Sequence, residues 1–226
     1  MRVKVDQRFV PANHEIRSHL PMTPRYTTIH ETANRAPGAD AEMHARYMLT
    51  QDAISREVLW HFTVDSNRVI QHLPTNEVGW HAGDGYNGVG NRQSIAIELC
   101  VNADGDFEAT QRLAAKLVAD LIESTPSLAP FPDCVVQHNR WSGKNCPTII
   151  RSTPDGWSRF LSMVSDELRP ASPFNDVPAD AWYAQDLAEL KAKGYVKGDV
   201  NGNLAMSDEA VRLLVVMNRI RKDLAK

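Results

Sequence analysis

The stretch Gln137–Pro147 reads QHNRWSGKNCP and carries His138, Lys144 and Cys146 within a few residues. Histidine nitrogen and cysteine thiolate are the preferred protein ligands of zinc. The separation of His138 and Cys146 is too long for the paired ligands of a zinc-finger hairpin. The preceding residues, Cys134-Val-Val-Gln-His138, read as a strand. Two ligands are therefore offered by a strand end and the loop after it. A catalytic zinc takes three protein ligands and keeps a fourth position open, so a third ligand has to come from elsewhere in the chain.

Working outward, Tyr26–Thr32 alternates, is rich in β-branched residues and reads as a strand with His30 near its end. Trp60–Asp65 and Val69–Leu73 read as a hairpin around Ser66-Asn67, and Ser94–Cys100 as a further strand. That strand puts Ile95, Ile97 and Leu99 on one face and Ala96, Glu98 and Cys100 on the other. Leu113, Leu117 and Leu121 recur at helical spacing, which predicts a helix over 109–124; helices are also predicted over 40–50 and 157–168. Residues 1–24 read as a polar arm, and Glu77–Asn91, with five glycines, as a loop without regular structure. Strands interspersed with helices without strict alternation predict an α/β domain, a mixed central sheet flanked by helices, over 1–168. Arg169–Pro173 reads as a linker, and 174–226 as a small helical domain with helices over 181–193 and after Ser207.

Five histidines stand as candidates for the third ligand. His30 sits where a strand runs into a loop, the usual place for side chains to converge. His44 falls in a helix and is expected at the surface. His61 and His72 fall in the hairpin, where packing or a hydrogen bond is expected. His81 lies in the glycine-rich loop, which suits substrate contact.

The 226 residues carry a net charge of −3, without segregated charge, so no footprint for nucleic acid is present. Three cysteines make no disulfide framework. No apolar stretch is long enough to span a membrane. The first residues, MRVKVDQRFVPANHE, lack the apolar segment of a secretory signal. The expectation is a protein made in the cytosol, which something else must deliver if its substrate lies outside the cytoplasm.

Five motifs in order carry a resemblance: T-I-H-E at 28–31, W-H-F-T-V-D at 60–65, N-E-V-G-W-H-A-G-D-G at 76–85, S-I-A-I-E-L-C at 94–100 and W-S-G-K-N-C-P at 141–147. Residues 20–165 resemble the zinc-dependent N-acetylmuramoyl-L-alanine amidases of the amidase-2 family, which includes phage endolysins and peptidoglycan recognition proteins. The resemblance implies Zn²⁺ held by His30, His138 and Cys146, and peptidoglycan as substrate. Position alone leaves Glu98 open between a general base and a solvated strand carboxylate; its I-E-L-C context, shared with the endolysin branch, implies the base. Lys144 is implied to stabilise the oxyanion, against the alternative of a solvated loop lysine. Trp60 stands where some relatives carry a tyrosine. Indole cannot transfer a proton at neutral pH, so packing or a substrate wall is expected there. Trp80, His81 and Asn87 are candidates for contact with sugar or stem peptide. A bacterial autolysin of the same activity and a non-catalytic recognition module are the alternatives; the presence of Cys146 argues against the second.

The segments F-N-D-V-P at 174–178, W-Y-A at 182–184, A-E-L-K-A-K-G-Y-V-K-G at 188–198 and N-G-N-L at 201–204 are similar to one S-layer homology repeat. That resemblance implies binding to a secondary cell-wall polymer, with homo-oligomerisation as the alternative. Ser207-Asp-Glu-Ala210 replaces the usual basic segment before the last helix, which puts polymer binding by one copy in doubt.

Overall fold

The computed structural model describes residues 3–168, 174–178, 180–204 and 206–224. The linker expected over 169–173 lies outside them. The chain divides into two compact units, Met1–Glu167 and Leu168–Lys226.

In the first unit the elements run β1 (Val5–Gln7), β2 (Tyr26–Glu31), α1 (Ala41–Tyr47), α2 (Gln51–Ser55), β3 (Phe62–Val64), β4 (Val69–Gln71), α3 (Val89–Gln93), β5 (Ser94–Leu99), α4 (Phe107–Ser124), β6 (Val135–Gln137), α5 (Asn139–Ser142), α6 (Thr148–Ser152) and α7 (Gly156–Leu168). Among the described residues the strands form one sheet in the order β1-β4-β3-β5-β2-β6. Only the β3–β4 hairpin is antiparallel; the other pairings are parallel. The expected mixed sheet flanked by helices is therefore present.

The hairpin is turned by Asp65, whose Oδ1 accepts the N–H groups of Asn67 and Arg68, both at 2.8 Å. β2 and β5 occupy the middle of the sheet and are buried almost throughout, as parallel strands covered on both faces must be. Their register sets His30 beside Glu98. Helix α4 begins where Asp106 accepts the Ala109 N–H at 3.0 Å and buries Ala114, Leu117, Val118 and Leu121.

Three local readings change. The polar arm contributes β1, because the open edge of β4 offers backbone partners that no local pattern in Val5–Gln7 announces. The glycine-rich loop gives way to α3 at Val89, where the Asp84 carboxylate accepts the Gly90 N–H at 2.6 Å. His44 is buried rather than at the surface: its Nδ1 lies 2.8 Å from the Asp40 carbonyl and 3.8 Å from Cys100 Sγ.

In the second unit, α8 (Ala184–Ala192) and α9 (Asp208–Leu224) pack together, with Phe174, Leu187, Leu190, Val211 and Val215 in the core. Asp186 on α8 accepts from Asn218 at 3.1 Å and Arg219 at 2.9 Å on α9. Leu213, Val216, Met217, Ile220 and Leu224 line the opposite side of α9 and are exposed.

Leu117 is closely packed on the face of α4 that meets the sheet. Leu117→Ala is expected to cost about 3 kcal/mol of unfolding free energy, read from urea denaturation of the full chain; a loss below about 1 kcal/mol would show that α4 is not a core element.

Candidate metal centre

His30 comes from the end of β2, His138 follows β6, and Cys146 follows the short α5. All three are buried, and one donor atom from each lies within 4.8 Å of the others. The strand order explains the meeting: β6 pairs with β2, and the His138 N–H extends that pairing to the Ile29 carbonyl at 3.2 Å. The stretch after His138 then folds back, with the Asn139 N–H on the Cys146 carbonyl at 3.0 Å.

Glu31, next in the chain to His30, holds the other end of this loop. Its carboxylate accepts the Ile149 N–H at 2.7 Å and the Ile150 N–H at 2.9 Å, while its own N–H points at Cys146 Sγ at 3.5 Å. The first turn of α6 is thereby tied to β2, and Cys146 sits between the ties. Burial raises the Glu31 carboxyl above its ordinary range, opposed by these backbone N–H groups.

Each imidazole is held by one nitrogen. His138 Nε2 lies 2.9 Å from the Ala82 carbonyl, so it carries the proton and donates; His138 Nδ1 is buried without a partner. His30 Nε2 lies 3.1 Å from His81 Nδ1, and His30 Nδ1 faces Glu98 Oε1 at 3.8 Å. The remaining nitrogens therefore face the common space. Burial, followed by the nearby His81 and His138 rings, pushes His30 well below its ordinary value; burial and Lys144 lower His138. Both rings are neutral at physiological pH, as metal ligands must be.

Burial, opposed by Lys144 and aided by Glu31, pushes Glu98 up to about 8, and its Oε2 is buried without a partner. Burial and the neighbouring Glu98 push the Cys146 thiol up to about 12. A divalent cation reverses both shifts, since a positive charge favours thiolate and carboxylate. Two neutral imidazoles, one of them with an orphaned nitrogen, and a sulfur fit zinc in donor type.

A groove of about 950 Å³ opens over the cluster, lined among others by Ile16, Val58, Trp80, Tyr86, His138 and Lys144. Trp80 is half-buried and stacks on Tyr86 with ring centroids 5.6 Å apart. His81 also lines the groove, with its Nδ1 against His30. Asn87 is exposed and falls outside the groove lining. Trp60 is buried and donates to Thr63 Oγ1 at 2.7 Å, which makes it packing rather than substrate wall. His61 spans two backbones, accepting the Ala96 N–H at 3.0 Å and contacting the Glu77 carbonyl at 2.9 Å; His72 lies 2.8 Å from Thr63 Oγ1. Both are thus hydrogen-bonded parts of the hairpin. Reading the chain residue by residue missed Glu31 and Asn91. For Glu31 the available signal was its place beside a ligand; Asn91 had only its position at the end of a glycine-rich segment.

Residues 20–149 match the family of N-acetylmuramoyl-L-alanine amidases. The chain belongs to that family. It is 43% identical over 180 residues to the N-acetylmuramoyl-L-alanine amidase CwlH of Bacillus subtilis (strain 168), covering 78% of this chain and 68% of the relative. It is 50% identical to the amidase XlyA of the same organism, over 72% of this chain but 51% of the relative, so it spans about half of that protein. The solved catalytic domain of XlyA superposes with a TM-score of 0.65 at 46% identity, over 72% of this chain and 99% of that one. The structure of PlyL gives 0.61 at 33% identity, over 73% and 97%. The buried group of His30, His138 and Cys146 is consistent with the zinc site of this amidase family.

The Glu98 shift has a sign. In the zinc-free fold its carboxyl is raised from about 4.5 to about 8, so the native state holds a proton that the unfolded state releases between those values, and stability falls as pH rises through that window. Zinc-free Glu98→Gln lacks this loss. Its melting temperature minus that of the parent is expected to increase from pH 5 to pH 8.5 in calorimetry; a constant difference would show that Glu98 is not desolvated.

Proposed function

We propose that this chain hydrolyses the amide bond between N-acetylmuramic acid and the L-alanine of the peptidoglycan stem peptide, with His30, His138 and Cys146 as zinc ligands. The observation that carries the reading is the convergence of these three buried donors, with Glu98 beside His30, at a groove that His138 and Lys144 help to line. Zinc held there supplies Lewis-acid polarisation of the scissile carbonyl and acidification of water.

The protein's own groups divide the remaining work. Glu98 is a carboxyl poised near neutrality, suited to take a proton from the attacking water and return it to the leaving alanine nitrogen. Its unpartnered Oε2 leaves a lone pair uncommitted to the protein. Lys144 lies in the groove wall, and its charge acts on Glu98, His30 and Cys146. A cation in that wall is suited to offset the negative charge that develops on the carbonyl oxygen during attack. Trp80, with Tyr86 stacked on it, offers an aromatic wall for the apolar face of a sugar, and the His81 ring adds to the same lining; Asn87, exposed outside that lining, carries an amide able to hydrogen-bond sugar or stem peptide.

The same fold and 45% identity link the chain to a solved mutant endolysin from Bacillus subtilis. We read the chain as an endolysin-type lytic enzyme that acts on the cell wall after release from the cytoplasm. Among the described residues no helix is long and apolar enough to cross a membrane. Residues 1–168 form the catalytic domain in this reading, and 174–226 an appended module joined by 169–173.

Purified bacterial walls digested with the chain are expected to yield soluble stem peptides with a new N-terminal L-alanine, identified by mass spectrometry. Glu98→Gln is expected to lower kcat by about 10²–10⁴-fold while keeping its zinc. New reducing ends without new amino termini would place the cleavage in the glycan and discard the reading.

For the appended module, the exposed side of α9 favours self-association over binding of a secondary wall polymer. Leu213, Met217, Ile220 and Leu224 follow one another at 4-3-4 spacing, the seam pattern of a coiled coil. Light scattering is expected to give a dimer for the parent and a monomer for Leu213→Ser/Ile220→Ser. A monomeric parent that pellets with walls would assign the module to polymer binding.

A further inference from the structure

Asn91 lies in α3, is none of the three metal donors, and is almost fully buried. Its side chain makes three hydrogen bonds to one segment of backbone. Oδ1 accepts the N–H groups of both His81, at 2.9 Å, and Ala82, at 2.8 Å; Nδ2 donates to the Gly85 carbonyl at 3.1 Å. Only this orientation of the amide satisfies all three partners.

Residues 81 and 82 are the ones that hold the two imidazoles. The Ala82 carbonyl receives the proton of His138 Nε2, and His81 Nδ1 meets His30 Nε2. One buried amide therefore holds the backbone N–H groups of the two residues whose ring and carbonyl seat the two imidazoles. Asn91 is itself held from below. Asp84 accepts the Gly90 N–H at 2.6 Å and the Asn91 N–H at 3.2 Å, and Ser94 Oγ donates to the Gly90 carbonyl at 2.7 Å. Glycine at 90 allows the approach: a Cβ there would lie 2.5 Å from the Ala82 side chain and 2.6 Å from Trp141. The segment 81–91 is thus closed on itself by hydrogen bonds of Asn91 and Asp84, neither of which is a metal donor.

We propose that Asn91 is a positioning residue that fixes the ring orientation and tautomer of His30 and His138 together, and so sets the affinity of the site for zinc. The inference rests on the zinc reading of the site. A hydrogen-bonded partner behind a ligating histidine keeps one nitrogen protonated and the other free for the metal. Here two such partners, on adjacent residues, share a single support. Loss of that support frees Ala82 and His81 to turn, and both rings lose their seat at once.

The test measures zinc affinity of the full chain by competition with a chromogenic chelator. Asn91→Ala is expected to bind zinc about 10–100-fold more weakly than the parent, and its cobalt(II)-substituted form to show altered ligand-field and thiolate charge-transfer bands. Asn91→Asp retains acceptor oxygens for both N–H groups and is expected to recover most of the affinity. Val118→Ala, a core change in α4, is the control that lowers stability without moving zinc affinity. If Asn91→Ala does not fold, Asn91→Ser, whose hydroxyl is too short to serve both N–H groups, carries the same expectation. In the zinc-free parent, long-range ¹H–¹⁵N correlations are expected to show the Nε2–H tautomer for both His30 and His138. An Nδ1–H tautomer at either ring, or parental zinc affinity and cobalt spectra in the Ala or Ser variant, overturns the proposal. A parent that takes up no zinc overturns the site reading instead, which keeps the two failures apart.

Discussion

A carboxyl, a thiol and two imidazoles share one small buried space, and burial drives all four towards their uncharged forms. This desolvation is the constraint around which the first unit is built. Groups of this kind are costly to bury unless their polar atoms are committed. The protein commits only the outward-facing atoms: His138 Nε2 to Ala82, His30 Nε2 to His81, and Glu31 to the first turn of α6. The inward-facing atoms, including His138 Nδ1 and Glu98 Oε2, are left without protein partners. Such an arrangement stores electrostatic demand that a single cation satisfies.

The scaffold meets this constraint by dividing labour between strands and loops. β2 and β5 supply His30 and Glu98 at fixed register, where backbone pairing on both sides prevents drift. The loops after β6 and before α3 supply the remaining ligands and their supports, and they too are tied back to the strands. The Trp141 indole donates to Thr28 Oγ1 at 2.9 Å, and Thr28 shares a hydrogen bond of 2.7 Å with Ser94. Groove walls formed by Trp80, Tyr86 and Lys144 sit outside this braced layer. Catalytic geometry and substrate contact can therefore vary separately, as is usual when function is carried on loops over a rigid sheet.

Much of this was legible in the sequence. Strong alternation and β-branched content marked β2 and β5, and leucine spacing marked α4, because each pattern reflects burial of one face or both. His138 and Cys146 were legible as donors from residue type, whereas His30 was one of five candidates until five ordered motifs were taken together. What escaped has a common cause. β1 depends on an open edge elsewhere in the chain, the burial of His44 on how α1 lies against the sheet, and the roles of Glu31 and Asn91 on backbone groups distant or unpatterned in sequence. Hydrogen bonds to main chain leave almost no trace in residue type, since any Glu or Asn looks alike until the acceptor is in place. The place of Lys144 in the groove wall had no local signal, since an exposed loop lysine carries no feature that marks it.

The pairing of His30 with Glu98 also bears on how the chain tolerates insertion and deletion. Side chains of a strand alternate between faces, so a shift of one residue in β5 would carry Glu98 to the far side of the sheet and bring an isoleucine or leucine to the metal. A length change in the loops over the groove alters its lining; a length change of one residue in β5 exchanges the buried carboxyl of Glu98 for a hydrocarbon. The middle of the sheet is thus a frame in the reading-frame sense, in which single steps are lethal to chemistry although the fold could absorb them elsewhere.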